Sequence, residues 1–279
     1  MDDKHQDTFK HLLNETMLSK QILGNIQIDN IKQQYPDDRM LIKYGYCVYS
    51  QSDEDGIINE IFNRIGTKSK VFIEFGVGNG LENNTTYLLT TGWTGLWIEA
   101  NEKNCTRIKN TFSNALEAQK LKLIESKINA ENICGLIQAG DLQKPVDLLS
   151  IDIDGNDYHI LNTIDNINPR VIVIEYNALM GKDTEWVMEY NPDHTWEGSI
   201  YHGATLKSIT KLANNLGYIL VGCNLTGVNA FFVREDLIND KFTSNFTSEY
   251  HYMENRTYLI SSYKANYKKS PQLFICENK

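Results

Sequence analysis

Two stretches of this sequence hold residues of the types and spacing that chemistry needs. In VDLLSIDID (146–154) and the GND that follows, Asp152, Asp154 and Asp157 crowd the end of an apolar run, and in RVIVIEYN (170–177) Glu175 ends the next run. Period-two spacing puts Asp152 and Asp154 on one face if both lie on a strand, though Asp154 is expected already in the turn opened by Gly155. Carboxylates brought this close repel unless something cationic compensates, such as a hard divalent metal, a cationic ligand or nearby lysines. The alternative is that one aspartate caps the helix that follows. The other stretch is KVFIEFGVGNG (70–80), where an apolar strand runs into Gly76, Gly78 and Gly80. Such a turn lets the backbone approach a ligand, because no Cβ intervenes. Glu74 sits near the C-terminal end of that strand, where open α/β sheets bind cofactors. One βα unit later Glu99 closes GLWIEAN (95–101), placed to accept hydrogen bonds from ribose hydroxyls. The dinucleotide pattern G-x-G-x-x-G is not met, since Leu81 stands where its last glycine belongs.

The elements that must position these residues alternate. Strands are predicted at 70–75, 95–100, 121–126, 146–154 and 170–177, with helices near 82–91, 102–118, 130–139 and 156–166. The strands are continuous apolar runs, as expected when both faces are buried. This βαβ rhythm predicts a doubly wound, Rossmann-like α/β sheet. A helix over 204–217 follows, and then GYILVGCN (217–224) reaches NAFFVRE (229–235) across only LTGV. So short a link cannot carry a parallel crossover, so these two strands should pair antiparallel and complete a seven-stranded, mostly parallel sheet. Residues 1–66 read as a helical preface packed on the main domain, with Leu12, Leu13, Met17, Ile22 and Leu23 as one apolar stripe. The expected division is 1–66 preface or lid, 67–236 main domain and 237–279 C-terminal extension.

After the fifth strand, about 25 residues precede the next convincing helix, and loops this long are usually functional or disordered. This one carries Trp186, Tyr190, His194, Trp196, Tyr201 and His202. Aromatic side chains over the cofactor end suit stacking on a sugar face; a small hydrophobic cluster pinning the loop is the alternative reading. His202, just before the helix, is the favoured general base and His194 the second choice. His159, inside a helix, reads as structural.

Composition narrows the function classes. The net charge of −9 argues against a nucleic-acid substrate, since phosphate binding needs a basic surface. Five dispersed cysteines (Cys47, Cys105, Cys134, Cys223 and Cys276) form no C-x-x-C pair and fit free thiols in a reducing compartment. No apolar run approaches the ~18 residues of a membrane span, and the polar N-terminus shows no leader, so a soluble, cytoplasmic protein is expected.

The segment from Glu74 to Gly80 resembles motif I of the class I S-adenosylmethionine (SAM) methyltransferases. The order SQSDEDGI, FIEFGVGNG, LWIEAN, SIDIDGND and VIEYN, over about residues 49–235, resembles the FkbM-like branch, which often methylates hydroxyls of sugars or sugar-bearing natural products. The resemblance implies the five-parallel-plus-hairpin sheet and methyl transfer from SAM by in-line displacement. Glu74, Gly76, Gly78, Gly80 and Glu99 would hold SAM, Asn129 and Ala130 would flank its adenine, and Asp152 would adjoin it. Related sugar methyltransferases bind Mg²⁺ at the ends of the fourth and fifth strands, here Asp154 and Glu175. They often carry a histidine where this chain has Asp157 and a second acid where it has Tyr176. Asp152, Asp154, Glu175 and His202 would then serve the hydroxyl of a small-molecule or sugar acceptor. A homodimer is one option for the assembly. Two other functions compete with this one: an NAD-linked oxidoreductase, and a SAM-binding or adaptor domain without catalysis.

Overall fold

The computed structural model describes residues 3–263 and 269–270. Chain order begins with the long helix α1 (Asp3–Gln33) and α2 (Glu54–Ile65), then β1 (Val71–Phe75), α3 (Thr86–Thr90) and β2 (Thr94–Glu99). It continues through α4 (Glu102–Thr111), α5 (Ser113–Glu117), β3 (Leu121–Glu125), α6 (Ile133–Ala139), β4 (Leu148–Ile151), α7 (Asp157–Thr163) and β5 (Val171–Glu175). The end comprises α8 (Leu206–Asn215), β6 (Tyr218–Cys223), β7 (Asn229–Arg234), α9 (Ser248–His251) and α10 (Ile260–Tyr263).

All seven strands form one sheet in the order β3-β2-β1-β4-β5-β7-β6. The first five run parallel, and β7 lies antiparallel to both β5 and β6. The expected Rossmann-like α/β sheet with a terminal antiparallel hairpin is therefore the observed one. Side chains alternate across it. Ile73, Phe75, Ile172 and Ile174 join one buried layer with α6, α7 and α8, while Phe72, Trp97, Val171 and Val173 join the other with α2 and α3. Burial on both faces explains why the strands read as continuous apolar runs.

Three local expectations differ from the structure. The fourth strand stops at Ile151, short of the expected end, so Asp152 joins Asp154 in the turn, where Asp154 was expected. The Asp157 carboxylate accepts hydrogen bonds from the amides of Ile153 (2.8 Å) and Gly155 (2.9 Å), which bends the backbone out of the sheet. The helix expected over 82–91 is cut to Thr86–Thr90, because residues 83–85 wrap around Glu74 instead. The apolar stripe of α1 does not pack on the main domain. Leu12, Leu13, Met17, Ile22 and Leu23 are exposed, and α1 reaches the body through Ile28 and Ile31 and a close approach of Gly24 to Ser262 and Leu259. Residues 264–268 and 271–279 of the C-terminal extension, with Cys276, lie outside the described residues.

Candidate active site

A cleft of about 670 Å³ opens at the C-terminal edge of β1, β2 and β4. That is the expected place for a ligand, because successive strands there send their connections to opposite faces of the sheet. Gly76, Gly78, Asn79 and Glu99 line one part of it, and Asp152, Asp154, His194 and Trp196 line another.

The glycines of the turn do different work. A Cβ on Gly76 (φ +71°) would lie 1.7 Å from the carbonyl oxygen of Asp152, so this glycine lets the ends of β1 and β4 touch backbone to backbone. A Cβ on Gly80 would meet the rings of Trp97 and Phe112 at 2.8 Å, so Gly80 serves packing and does not line the cleft. Gly78 (φ +55°) has nothing within 4 Å of its Cβ position and borders the cavity. The carboxylate of Glu99 holds the turn in place, accepting from the amides of Gly78 and Asn101, each at 2.8 Å. A carboxylate has about four acceptor sites, so Glu99 keeps capacity for hydroxyl donors in the cleft.

Glu74 stands behind the turn and outside the cleft lining. It is 2% exposed and accepts hydrogen bonds from Asn83 Nδ2 (2.7 Å), Asn84 N (2.8 Å) and both the amide and hydroxyl of Thr85. Its place is that of a brace for the loop 83–85. Asn129 and Ala130 also lie outside the lining. Asn129 pairs with Asn132, and the Ala130 amide donates to the Tyr190 hydroxyl at 3.0 Å. Their neighbours Ser126, Lys127 and Ile128 border the cavity instead.

At the other end, oxygens of Asp152, Asp154 and Glu175 come within 4.8 Å of one another. Asp154 adopts φ +56°, a left-handed conformation that Asp tolerates better than most side chains. Burial, then repulsion from Asp157 and Asp154, drives the Asp152 carboxyl well above its usual range. Burial and then Asp152 do the same to Glu175. Burial also raises Asp154, against the attraction of His202 and His194. The Oε2 atom of Glu175 is buried with no hydrogen-bond partner. Asp157, by contrast, is fully engaged in holding the turn.

The two loop histidines are placed unequally. His194 lines the cleft, packs on Gly155, and has a buried Nε2 without a hydrogen-bond partner. His202, the residue favoured from sequence, is not in the lining. It is 9% exposed, its Nδ1 donates to the carbonyl of Ser199 at 3.2 Å, and its ring packs 5.4 Å from that of Trp196. The loop itself is tied down. Asn177 at the end of β5 donates to the carbonyls of Ile200 (2.8 Å) and His202 (3.0 Å), and Val187 bridges Ala204. Trp186 pairs edge-on with Tyr201, whereas Trp196 reaches the cleft. His159, read as structural, bonds the carbonyl of Met188 and faces Tyr190.

Sequence reasoning did not single out Gln51, Asn79, Lys127, Thr195 or Asn156, which also border the cavity. Gln51, Asn79 and Asn156 did carry a signal, since they lie in the segments SQSDEDGI, FIEFGVGNG and SIDIDGND.

Residues 127–220 match the family model described as the methyltransferase FkbM domain. No curated protein is matched by the sequence. Among solved structures the chain is similar to a SAM-dependent methyltransferase from Clostridium acetobutylicum ATCC 824. Identity there is 11% and the TM-score 0.43, covering 67% of this chain and 92% of that one. It is also similar to the glycopeptide N-methyltransferase MtfA complexed with SAM, at 12% identity and TM-score 0.41, covering 68% and 96%. A third is precorrin-6y C5,15-methyltransferase from Geobacter metallireducens GS-15, at 13% identity and TM-score 0.40, covering 69% and 95%. The matched residues run from just past β3 into β6, and their likeness to the FkbM domain agrees with the resemblance drawn from the sequence motifs.

Proposed function

We propose that this chain uses SAM to methylate a hydroxyl group, on a sugar or a sugar-bearing acceptor. The observation that carries this reading is one cleft with two chemically different ends: a glycine turn with Glu99, and a carboxylate group beside His194. The turn fits SAM because the space at Gly78 is open and the Glu99 carboxylate faces it. SAM, when bound, supplies an electrophilic methyl group on a sulfonium. Glu99 would accept from its ribose hydroxyls, and Ser126 to Ile128 would border the adenine in place of Asn129 and Ala130.

The chain must then hold the acceptor in line and remove its proton, since an alcohol ionises far above neutral pH. His194, in the cleft lining, is the base in this reading; its Nε2 is packed against Gly155 without a hydrogen-bond partner, so a turn of the ring would bring it to the acceptor. His202 sits behind Trp196 and serves to position the loop. Trp196 offers a half-exposed ring at the rim, suited to the face of a pyranose. Asp152 and Asp154 line the cleft and can hold acceptor hydroxyls, and Glu175, outside the lining, lies close to both. Their three hard oxygen donors, and the orphaned Glu175 Oε2, also fit a divalent cation such as Mg²⁺. Such an ion would neutralise the cluster and acidify a bound hydroxyl.

An NAD-linked oxidoreductase fits less well, because β7 runs antiparallel between β5 and β6, unlike the 3-2-1-4-5-6 order of dinucleotide folds. Turnover of radiolabelled SAM across a panel of hydroxylated glycans tests the proposal. Transfer to a sugar oxygen is expected. Transfer only to amines, or tight NAD binding without SAM binding, overturns it.

A further inference from the structure

We infer that Tyr190 is a positioning residue, which ties the segment carrying His194 and Trp196 to the loop after β3 and so makes that segment respond to the cofactor. The inference rests on the reading of the cleft as a SAM site. Between the bridge at Val187 and α8 the chain forms no helix or strand, so its course depends on other bonds. Yet His194, Thr195 and Trp196 make up one wall of the cleft. What holds them there lies a few residues earlier, among residues that do not border the cavity.

Two anchors stand side by side. The Tyr190 hydroxyl accepts from the amide of Ala130 (3.0 Å) and donates to Glu131 Oε2 (2.6 Å), so both of its functions go to the loop after β3. The bond to the carboxylate is charge-assisted, the stronger kind. The ring faces that of His159 at 5.3 Å, and His159 Nε2 in turn bonds the carbonyl of Met188 at 2.7 Å. The next residue, Asn191, is held from the turn after β4, where Asn156 Nδ2 donates to its carbonyl at 2.7 Å. The same carbonyl accepts from the amide of His194 at 3.0 Å, and Asn191 Oδ1 accepts from the amide of Asp193 at 2.9 Å. A closed turn therefore carries the fixed position of residues 190 and 191 on to His194. Lys127 and Asp193, 3.9 Å apart and exposed, add little.

The other end of the tie reaches the cofactor. Ser126, Lys127 and Ile128 border the cleft where the adenine is placed. From there to Asn132 the loop is one closed unit. Asn129 and Asn132 each accept from the other's amide at 2.9 Å, and Asn132 Nδ2 donates to the carbonyl of Lys127 at 2.8 Å. Adenine packed against Ser126 to Ile128 thus steadies Ala130 and Glu131. Through Tyr190 it steadies the wall that receives the acceptor. By linkage, a steadied wall tightens the cofactor by the same factor.

Hydrogen exchange of the full chain reads the tie, with S-adenosylhomocysteine (SAH) as the probe. Opening of the segment frees the amides of Asn191, Asp193 and His194. In the parent, SAH should slow exchange at residues 188–193 by roughly 5–100-fold, although none of them borders the cavity. Tyr190→Phe keeps the ring on His159 and removes both hydroxyl bonds. Without SAH it should exchange faster at 188–193, and with SAH it should lose the slowing there while keeping it at 126–128. Its SAH affinity by calorimetry should fall by about the factor of slowing seen in the parent, an equality that a purely structural role does not demand. Tyr218→Phe is the control. Its hydroxyl bonds Asn168 (3.0 Å) and the carbonyl of Pro169 (2.8 Å) at the opposite edge of the sheet, so its loss should leave SAH affinity and the slowing unchanged. A parent that binds no SAH overturns the proposed cofactor, and this inference with it. SAH binding without slowing at 188–193, or slowing that survives in Tyr190→Phe, overturns the inference alone.

Discussion

Gly76→Ala separates the packing role of the glycine turn from its ligand role. The added methyl would sit 1.7 Å from the carbonyl oxygen of Asp152 and 2.8 Å from its carbonyl carbon. Both are backbone atoms, so relief requires the ends of β1 and β4 to part. The φ of +71° adds left-handed strain of about 1–2 kcal/mol. Overpacking adds about 1–3 kcal/mol, for a loss of about 2–5 kcal/mol. Gly78→Ala is the internal control. It bears similar strain (φ +55°) but meets no atom within 4 Å, so its cost should stay near 1–2 kcal/mol. The difference, about 1–3 kcal/mol, corresponds to a shift of roughly 0.3–1 M in urea midpoint if the slope is near 3 kcal/mol/M. Asp152 opens the turn that carries Asp154, so Gly76→Ala should also disturb the carboxylate group. Gly78→Ala should remain folded and lose SAM affinity by calorimetry, since its methyl enters the cleft. Equal midpoints for the two variants would show that the contact between Gly76 and Asp152 does not govern the first loss.

Three further outcomes are expected. Glu99→Gln should weaken SAM binding by about 10–100-fold, because it removes a charged acceptor that also fixes the Gly78 amide; unchanged affinity in a calorimeter would place the ribose elsewhere. His194→Ala should lower kcat by roughly 10²–10⁴-fold with SAM affinity intact, and His202→Ala should lower it less; the reverse ranking would return the base to His202. Asp152, Asp154 and Glu175 all hold their protons more tightly than a free carboxyl with its value of 3.8 or 4.5. Groups raised in this way stabilise fully below the unfolded value, and that contribution is lost as pH rises through the folded value. Without added cation, Tm should therefore fall from about pH 4 upward, less steeply in Asp154→Asn, and Mg²⁺ should restore part of the loss. Identical slopes for parent and variant, or no response to Mg²⁺, would count against a coupled, cation-seeking cluster.

By itself the sequence determined the sheet. Apolar runs of strand length separated by helices required a parallel core, and the short link between β6 and β7 required an antiparallel pair, because no crossover fits in so few residues. It also determined where chemistry had to lie, since Gly76, Gly78 and Glu99 end neighbouring strands and Asp152, Asp154 and Glu175 end the next two. Division of labour within these groups was decided by tertiary contacts. Glu74 and Gly80 share the strand-end pattern of cleft residues, yet one is enclosed by Asn83 to Thr85 and the other by Trp97 and Phe112. His194 and His202 are alike in sequence, and only the path of the loop over Gly155 brings the first to the cleft. The apolar residues of α1 read in sequence like those of a packed helix, yet Leu12, Leu13, Met17, Ile22 and Leu23 stay exposed. Periodicity reports that a face is apolar, whereas the surfaces within reach decide what covers it.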